Sequence, residues 1–275
     1  MQTTASPQSL VSLVVTWEPL PADYFLSDEP VDNLTQPLLA AALREILELL
    51  GFITPAMIIA TNFGICATVN GKTVVKAPDW VYVPAVLPLA ANQTRRSYTP
   101  QAEGAMPALV MEFLSETDGG EYSMNPNNPY GKWWFYERVL QVPIYVIFRP
   151  ETGDLELYHL VSGRYEQQPA NPDLQFWIEP INLFLGVWQG TKADRTGYWL
   201  RWWDQQGNLL PWGTEQVEQE RQRAEQERQR AEQESQRAEQ ESQRAEQESQ
   251  RAEQERQRAE ALVAQLRSLG IEPQA

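Results

Sequence analysis

Hydrophobic positions along this chain recur with two different periods, and each change of period marks an element. In PLLAAALREILELLG, which opens at Pro37, Leu38, Ala42, Leu43, Ile46, Leu49 and Leu50 recur at helical spacing, and Gly51 supplies a stop. Arg44, Glu45 and Glu48 fall toward the polar side, with Glu45 one position from the apolar stripe. The text then shifts to short β-branched runs divided by turn residues: AMIIATNFG, then ICATVNGKTVV with the hairpin signal Asn70-Gly71, then VKAPDWVYV. MPALVMEFLSETD reads as a buried strand interrupted by one acid, Glu112. GGEYSMNPNNP reads as a loop and YGKWWFYERVLQ as a helix, followed by strands in VPIYVIFRP, DLELYHLV and RYEQQ. PDLQFWIEPINLFLGVWQG predicts a short strand with packed turns. In GYWLRWWDQQGNLLPWGTE the tryptophans read as core packing and edge cover rather than a stacking surface, beside a hairpin turn at Gly207-Asn208. A short strand is also expected at Leu13–Thr16. This order of elements predicts an α/β domain around a mixed sheet.

From Glu215 the pattern changes again. RAEQERQ or RAEQESQ repeats every seven residues, marked by Ala224, Ala231, Ala238, Ala245, Ala252 and Ala259. Ala, Glu, Gln and Arg all favour helix, and Glu–Arg pairs three apart, such as Glu227–Arg230, add to it. Ala fills one seam position of each heptad while Glu or Arg falls on the other, so the repeat predicts an exposed or weakly self-associating helix. Leu262, Val263, Leu266 and Leu269 restore apolar anchors before Gly270. The expected organisation is a flexible N-terminus over 1–20, a compact domain over 21–214, a charged heptad-repeat helix over 215–270 and a short end over 271–275.

Charge narrows the function classes. The formal net charge is −15, and the repeat region contributes to it, with 15 acids against 10 arginines after residue 214. A protein that grips nucleic acid by its phosphates ordinarily carries a basic surface, so tight non-specific DNA binding is not expected. Cys66 is the single cysteine, which leaves no intramolecular disulfide. No secretory leader pattern and no apolar run of membrane length occur, so a cytoplasmic, soluble protein is expected.

Two acids stand in apolar β text, where an isolated ionised group is costly: Asp79 and Glu112. Brought to one sheet end they would suit Mg²⁺ or Mn²⁺, which take hard oxygen ligands. Lys132 lies on the following helix with Tyr136 four residues on, on the same face, so both could line one cleft. The plainer readings stay open: Asp79 as a turn residue after Pro78, Glu112 as an edge-strand acid, Lys132 as a surface lysine. His159 reads as a sheet residue and Cys66 as buried structure. Arg95-Arg96 is the best small basic patch, open to phosphate contact or to ordinary loop duty.

The ordered motifs KAPDWVYV, PALVMEFLS, GKWWFYERVLQVPIYVIFRP, DLELYHL and GRYE resemble the Uma2 family, grouped with the PD-(D/E)XK nuclease superfamily. The resemblance covers roughly residues 20–214. It implies a restriction-endonuclease-like mixed sheet flanked by helices, with the long C-terminal helix appended. It also implies a metal-dependent endonuclease hydrolysing DNA phosphodiester bonds. Asp79 and Glu112 would be its metal ligands for Mg²⁺ or Mn²⁺, Lys132 its cation, Tyr136 a supporting residue and Glu45 the first-helix acid. The superfamily's lysine two positions after the second acid is Leu114 here. The alternative is a catalytically weak or inactive nuclease-fold protein that works as an interaction module. In that role residues 215–270 would serve self-association or a protein partner.

Overall fold

A computed structural model of the 275-residue chain describes residues 13–21, 24, 34–90, 92–114, 120–127 and 129–268. The apolar anchor Leu269 and the following Gly270 lie outside the described residues, as do the first twelve residues and 271–275. Residue contacts divide the chain into two units, Met1–Gly213 and Thr214–Ala275.

In the first unit, α1 spans Thr35–Leu49; of the predicted stripe it buries Ala42, Leu43 and Ile46, whereas Leu38, Leu49 and Leu50 are exposed and Leu39 and Leu47 are buried instead. It ends in a Schellman turn: Gly51 takes φ +67, its N–H donates to Glu48 O, and Phe52 N–H donates to Leu47 O. The expected strand near residue 13 is the two-residue β1, Val15–Thr16. β3 (Ile65–Val69) and β4 (Lys72–Lys76) pair antiparallel across Asn70-Gly71. Both turn residues have positive φ, the geometry that makes Asn-Gly a hairpin signal. β1 adds to the outer side of β3.

The central sheet has six strands. They are β2 (Ile58–Ala60), β5 (Trp80–Val83), β6 (Leu109–Phe113), β7 (Ile144–Arg149), β8 (Asp154–Val161) and β9 (Arg164–Gln167), in that spatial order. Only β6 and β7 run parallel, and the helix α2 (Lys132–Trp134) lies in the crossover between them. α2 continues as a π-helical turn over Phe135–Leu140, where the sequence predicts ordinary helix. A third sheet is formed by β10 (Gln175–Ile178), β11 (Leu183–Lys192) and β12 (Arg195–Trp203). β11 is ten residues long where only packed turns are expected. The turn at Ala193-Asp194 lacks the Gly or Asn that would announce a hairpin, so the pairing is not written in local sequence.

Period-two alternation sends the central strands' side chains to two cores. Trp80, Tyr82, Leu109, Met111 and Phe113 join α1 and the third sheet. Val81, Val83, Val110, Tyr145 and Ile147 join the π-helical turn. Trp199 and Trp202 of β12, and Trp212 after it, are buried, while Trp177 of β10 is exposed: the indole N–H of Trp202 donates to Leu43 O, and that of Trp212 to Ala42 O. Arg201 is fully buried with its guanidinium 3.4 Å over the Trp212 ring.

α3 runs Gly213–Ser268, all but its first residue in the second unit, as one helix with no buried residue. Its ion pairs include Glu218–Arg221, Glu225–Arg228 and Glu253–Arg256. They join different heptad positions from the Glu227–Arg230 type anticipated above. Among the described residues no helix is long and apolar enough to cross a membrane.

Candidate functional site

Register explains how two acids far apart in sequence meet. β5 pairs antiparallel with β6, Trp80 facing Met111, so continuing the ladder by one residue sets Asp79 opposite Glu112. Pro78 has no N–H to give a ladder, and β structure breaks between Lys76 and Trp80. In that break the Asp79 carboxylate turns to the neighbouring strand: Phe113 N–H donates to its Oδ2 at 2.5 Å.

Glu112 follows the alternation of β6 onto the face covered by the π-helical turn, and it is completely buried. Both of its oxygens are bonded. Lys132 Nζ donates to Oε2 at 3.0 Å and the Tyr136 hydroxyl donates to Oε1 at 2.8 Å. Lys132 also reaches Glu121 Oε1 at 3.2 Å. The helix face expected from the four-residue spacing of Lys132 and Tyr136 is thus the face that clasps Glu112.

The electrostatics follow from burial and these partners. Loss of water pushes the Glu112 carboxyl above its ordinary range, opposed by the Lys132 ammonium and the Tyr136 hydroxyl. Burial works against the Lys132 ammonium, but Glu112, Glu121 and Asp79 outweigh it and hold its pKa above the usual lysine value. The Tyr136 phenol is driven far up by burial and then by Glu112, so it is held as a donor.

Three further residues belong to this end of the sheet, and sequence reasoning passed over them. Glu121 sits in the segment read only as a loop, yet it is buried, and its Oε2 has no hydrogen-bond partner. Lys76 ends β4 three residues before Asp79; burial and then Lys132 push its pKa down while Glu112 pulls it up. Gln36, in the first turn of α1, donates from Nε2 to Phe113 O at 2.6 Å. An acid in a Gly-flanked loop and a lysine beside a Pro-Asp pair were the available signals. Gln36 gave none.

Glu45 is engaged away from these groups. Its Oε2 pairs with Lys192 Nζ at 2.6 Å, and its Oε1 accepts the Gly213 N–H at 2.9 Å. Nine residues of helix, about 13.5 Å at 1.5 Å per residue, separate it from Gln36. Arg95 is paired with Glu103 in the same loop, while Arg96 donates to Tyr24 O in the N-terminal segment. Cys66 is buried, and His159 is a β8 residue.

A divalent ion does not fit the acids as they stand. Mg²⁺ needs oxygens at about 2.0–2.1 Å, with a carboxylate lone pair to give. Each oxygen of Glu112 already accepts one bond, from Lys132 or Tyr136, and the Lys132 ammonium is a positive charge that repels a second cation. Among the described residues no three acids, histidines or cysteines stand where they could hold a metal.

A mixed sheet with helices on both faces, carrying this Asp, Glu and Lys at one end, has the architecture of the PD-(D/E)XK nuclease fold. Within that class the chain belongs to the Uma2 family, whose model, described as "Putative restriction endonuclease", matches residues 29–189. A search of curated proteins finds no match.

Proposed function

We propose that this chain is a nuclease-fold protein with weak or absent catalysis, acting as an interaction or regulatory module through its charged helix. The observation that carries this reading is the closed state of Glu112, with both oxygens bonded to side chains of the same domain. Two further facts support it. The net charge of −15 opposes a DNA backbone, and α3 exposes 56 residues of helix with no buried side chain of its own. A helix of that composition offers many charged partners at little cost in conformational order, which suits docking of a protein.

The second reading is Mg²⁺- or Mn²⁺-dependent hydrolysis of DNA phosphodiester bonds. It is favoured by the meeting of Asp79, Glu112 and Lys132 at one sheet end, and it requires Lys132 to leave Glu112. Fluorescence anisotropy with labelled duplex and single-stranded DNA at physiological salt separates the two readings. The interaction role predicts no binding at micromolar protein, and binding that Lys132→Ala abolishes would overturn it.

A further inference from the structure

We propose that the cleft beside His159 binds an uncharged aromatic alcohol, with the hydroxyl on the imidazole and the ring against an apolar wall. The inference is independent of the state of Glu112 and of what docks on α3.

Register places this cleft away from the acids. His159 in β8 pairs with Ile144, the first residue of β7, and Ile144 pairs with Leu109, the first of β6. Glu112 stands three residues further along β6, about 10 Å at roughly 3.3 Å per residue. The two also lie on opposite faces of the sheet. Glu112 bonds to the π-helical turn, whereas Ile144 and Leu157 belong to the core shared with α1 and the third sheet. His159, two residues after Leu157, shares that second face.

A cavity of about 530 Å³ opens there. Small-molecule sites ordinarily span roughly 300–1,000 Å³. Ala108, Pro143, Ile144, Leu160, Val161 and Pro180 give it an apolar wall, in which the two proline rings offer rigid C–H surface to a flat guest. His159 and Glu179 are the polar residues of the lining.

Those two residues select the guest. The His159 Nε2 is buried and has no hydrogen-bond partner among the described residues. A buried polar atom left unbonded is costly, so a guest that supplies the bond removes that cost. Histidine χ2 is a broad torsion, and a small turn of the ring presents Nε2 to the cavity the residue lines. A hydroxyl both donates and accepts, so it satisfies Nε2 in either tautomer. Glu179 is exposed, and its carboxylate repels an acidic guest. A cation would lose its water against the apolar wall, a loss that one exposed carboxylate does not offset. An uncharged hydroxyl on a flat apolar body meets all three conditions.

The experiment is equilibrium dialysis of the full chain against 2-naphthol, naphthalene and 2-naphthoate at neutral pH. These share one ring system and differ only in the group offered to His159. 2-Naphthol is expected to bind at least about tenfold more tightly than either analogue, through its bond to a buried group. His159→Phe should erase the preference over naphthalene, and Glu179→Gln should raise the affinity for 2-naphthoate severalfold. No binding of 2-naphthol at millimolar concentration overturns the site. Naphthalene held as tightly as 2-naphthol by the wild type overturns the role of His159, and 2-naphthoate affinity unchanged in Glu179→Gln overturns that of Glu179. Should His159→Phe not fold, nuclear magnetic resonance of the wild type decides. His159 is the only histidine, so one imidazole Cε1–H resonance reports the cleft. It should shift as 2-naphthol saturates the protein, and a resonance that stays unmoved overturns the placement. These readouts are ligand binding, so their failure leaves the reading of Glu112 and α3 untouched.

Discussion

At the scale of residues, the account turns on a carboxylate that the fold buries and then supplies with partners. Removing the Tyr136 hydroxyl leaves one oxygen of Glu112 unsatisfied in a place water does not reach. Tyr136→Phe should therefore lower stability by about 1.5–3 kcal/mol, the range for a bond to a charged group, read from urea denaturation midpoints. A change within 0.5 kcal/mol, about the level of an ordinary surface substitution, would mean that Glu112 is solvated or protonated. Cys66 gives a second test. Burial pushes its thiol from 9.0 up to about 11, with Glu103 adding to the rise and bonds to Ser97 and Tyr98 opposing it. A group whose folded value is raised contributes stability that is whole below its unfolded value and is lost as pH climbs through the folded one. The wild type should thus lose stability relative to Cys66→Ala between pH 9.0 and about 11, with the difference flat below 9.0. Asp79, Glu112, Lys132 and Tyr136 were legible because each stands out against its text: an acid in an apolar strand, or a lysine and tyrosine one helical turn apart. Glu121 was not, since in GGEYSMN an acid is unremarkable until the fold buries it. Glu45 carried the opposite hazard. Its place at the edge of an apolar stripe fits an inward-facing acid, and the structure spends it on Lys192 and the Gly213 amide.

At the scale of elements, strong periodicity and explicit turn chemistry decided what could be read. α1 shows both, with its stripe and its glycine stop, and Asn70-Gly71 dictates the β3–β4 hairpin because both residues must adopt positive φ. The long β11–β12 pairing shows neither. Its turn at Ala193-Asp194 is ordinary in composition, and its strands are set by tryptophans packing on α1, a tertiary cause that a local pattern does not carry. The π-helical turn after α2 was likewise hidden, since its apolar positions read equally well as ordinary helix. Where α1 meets the third sheet, Leu43 is fully buried and its carbonyl accepts the Trp202 indole N–H. Leu43→Ala should cost about 2–5 kcal/mol through the cavity it leaves. Thermal unfolding followed by tryptophan fluorescence measures it, and a loss below 1 kcal/mol would show that this contact is not part of the core.

At the scale of the whole molecule, the chain combines a nuclease-type domain with a helix of quite different composition. The isolated segment 215–275 should be largely helical by circular dichroism, since nearly every position favours helix. Its mean ellipticity should change little over a concentration series, because the exposed pairs along it contribute only about 0.2–0.5 kcal/mol each and its heptads lack a full apolar seam. A random-coil spectrum would remove the helix as a docking arm. The acidic balance of the molecule and the bonded state of Glu112 both support the proposed reading of a nuclease-fold domain with weak or absent catalysis. The most direct measurement is cleavage of plasmid and single-stranded DNA by the purified full chain with Mn²⁺ or Mg²⁺, beside Asp79→Ala and a chelator control. The account predicts that the wild type cuts no faster than Asp79→Ala, whereas cleavage by the wild type that both Asp79→Ala and the chelator abolish would contradict it.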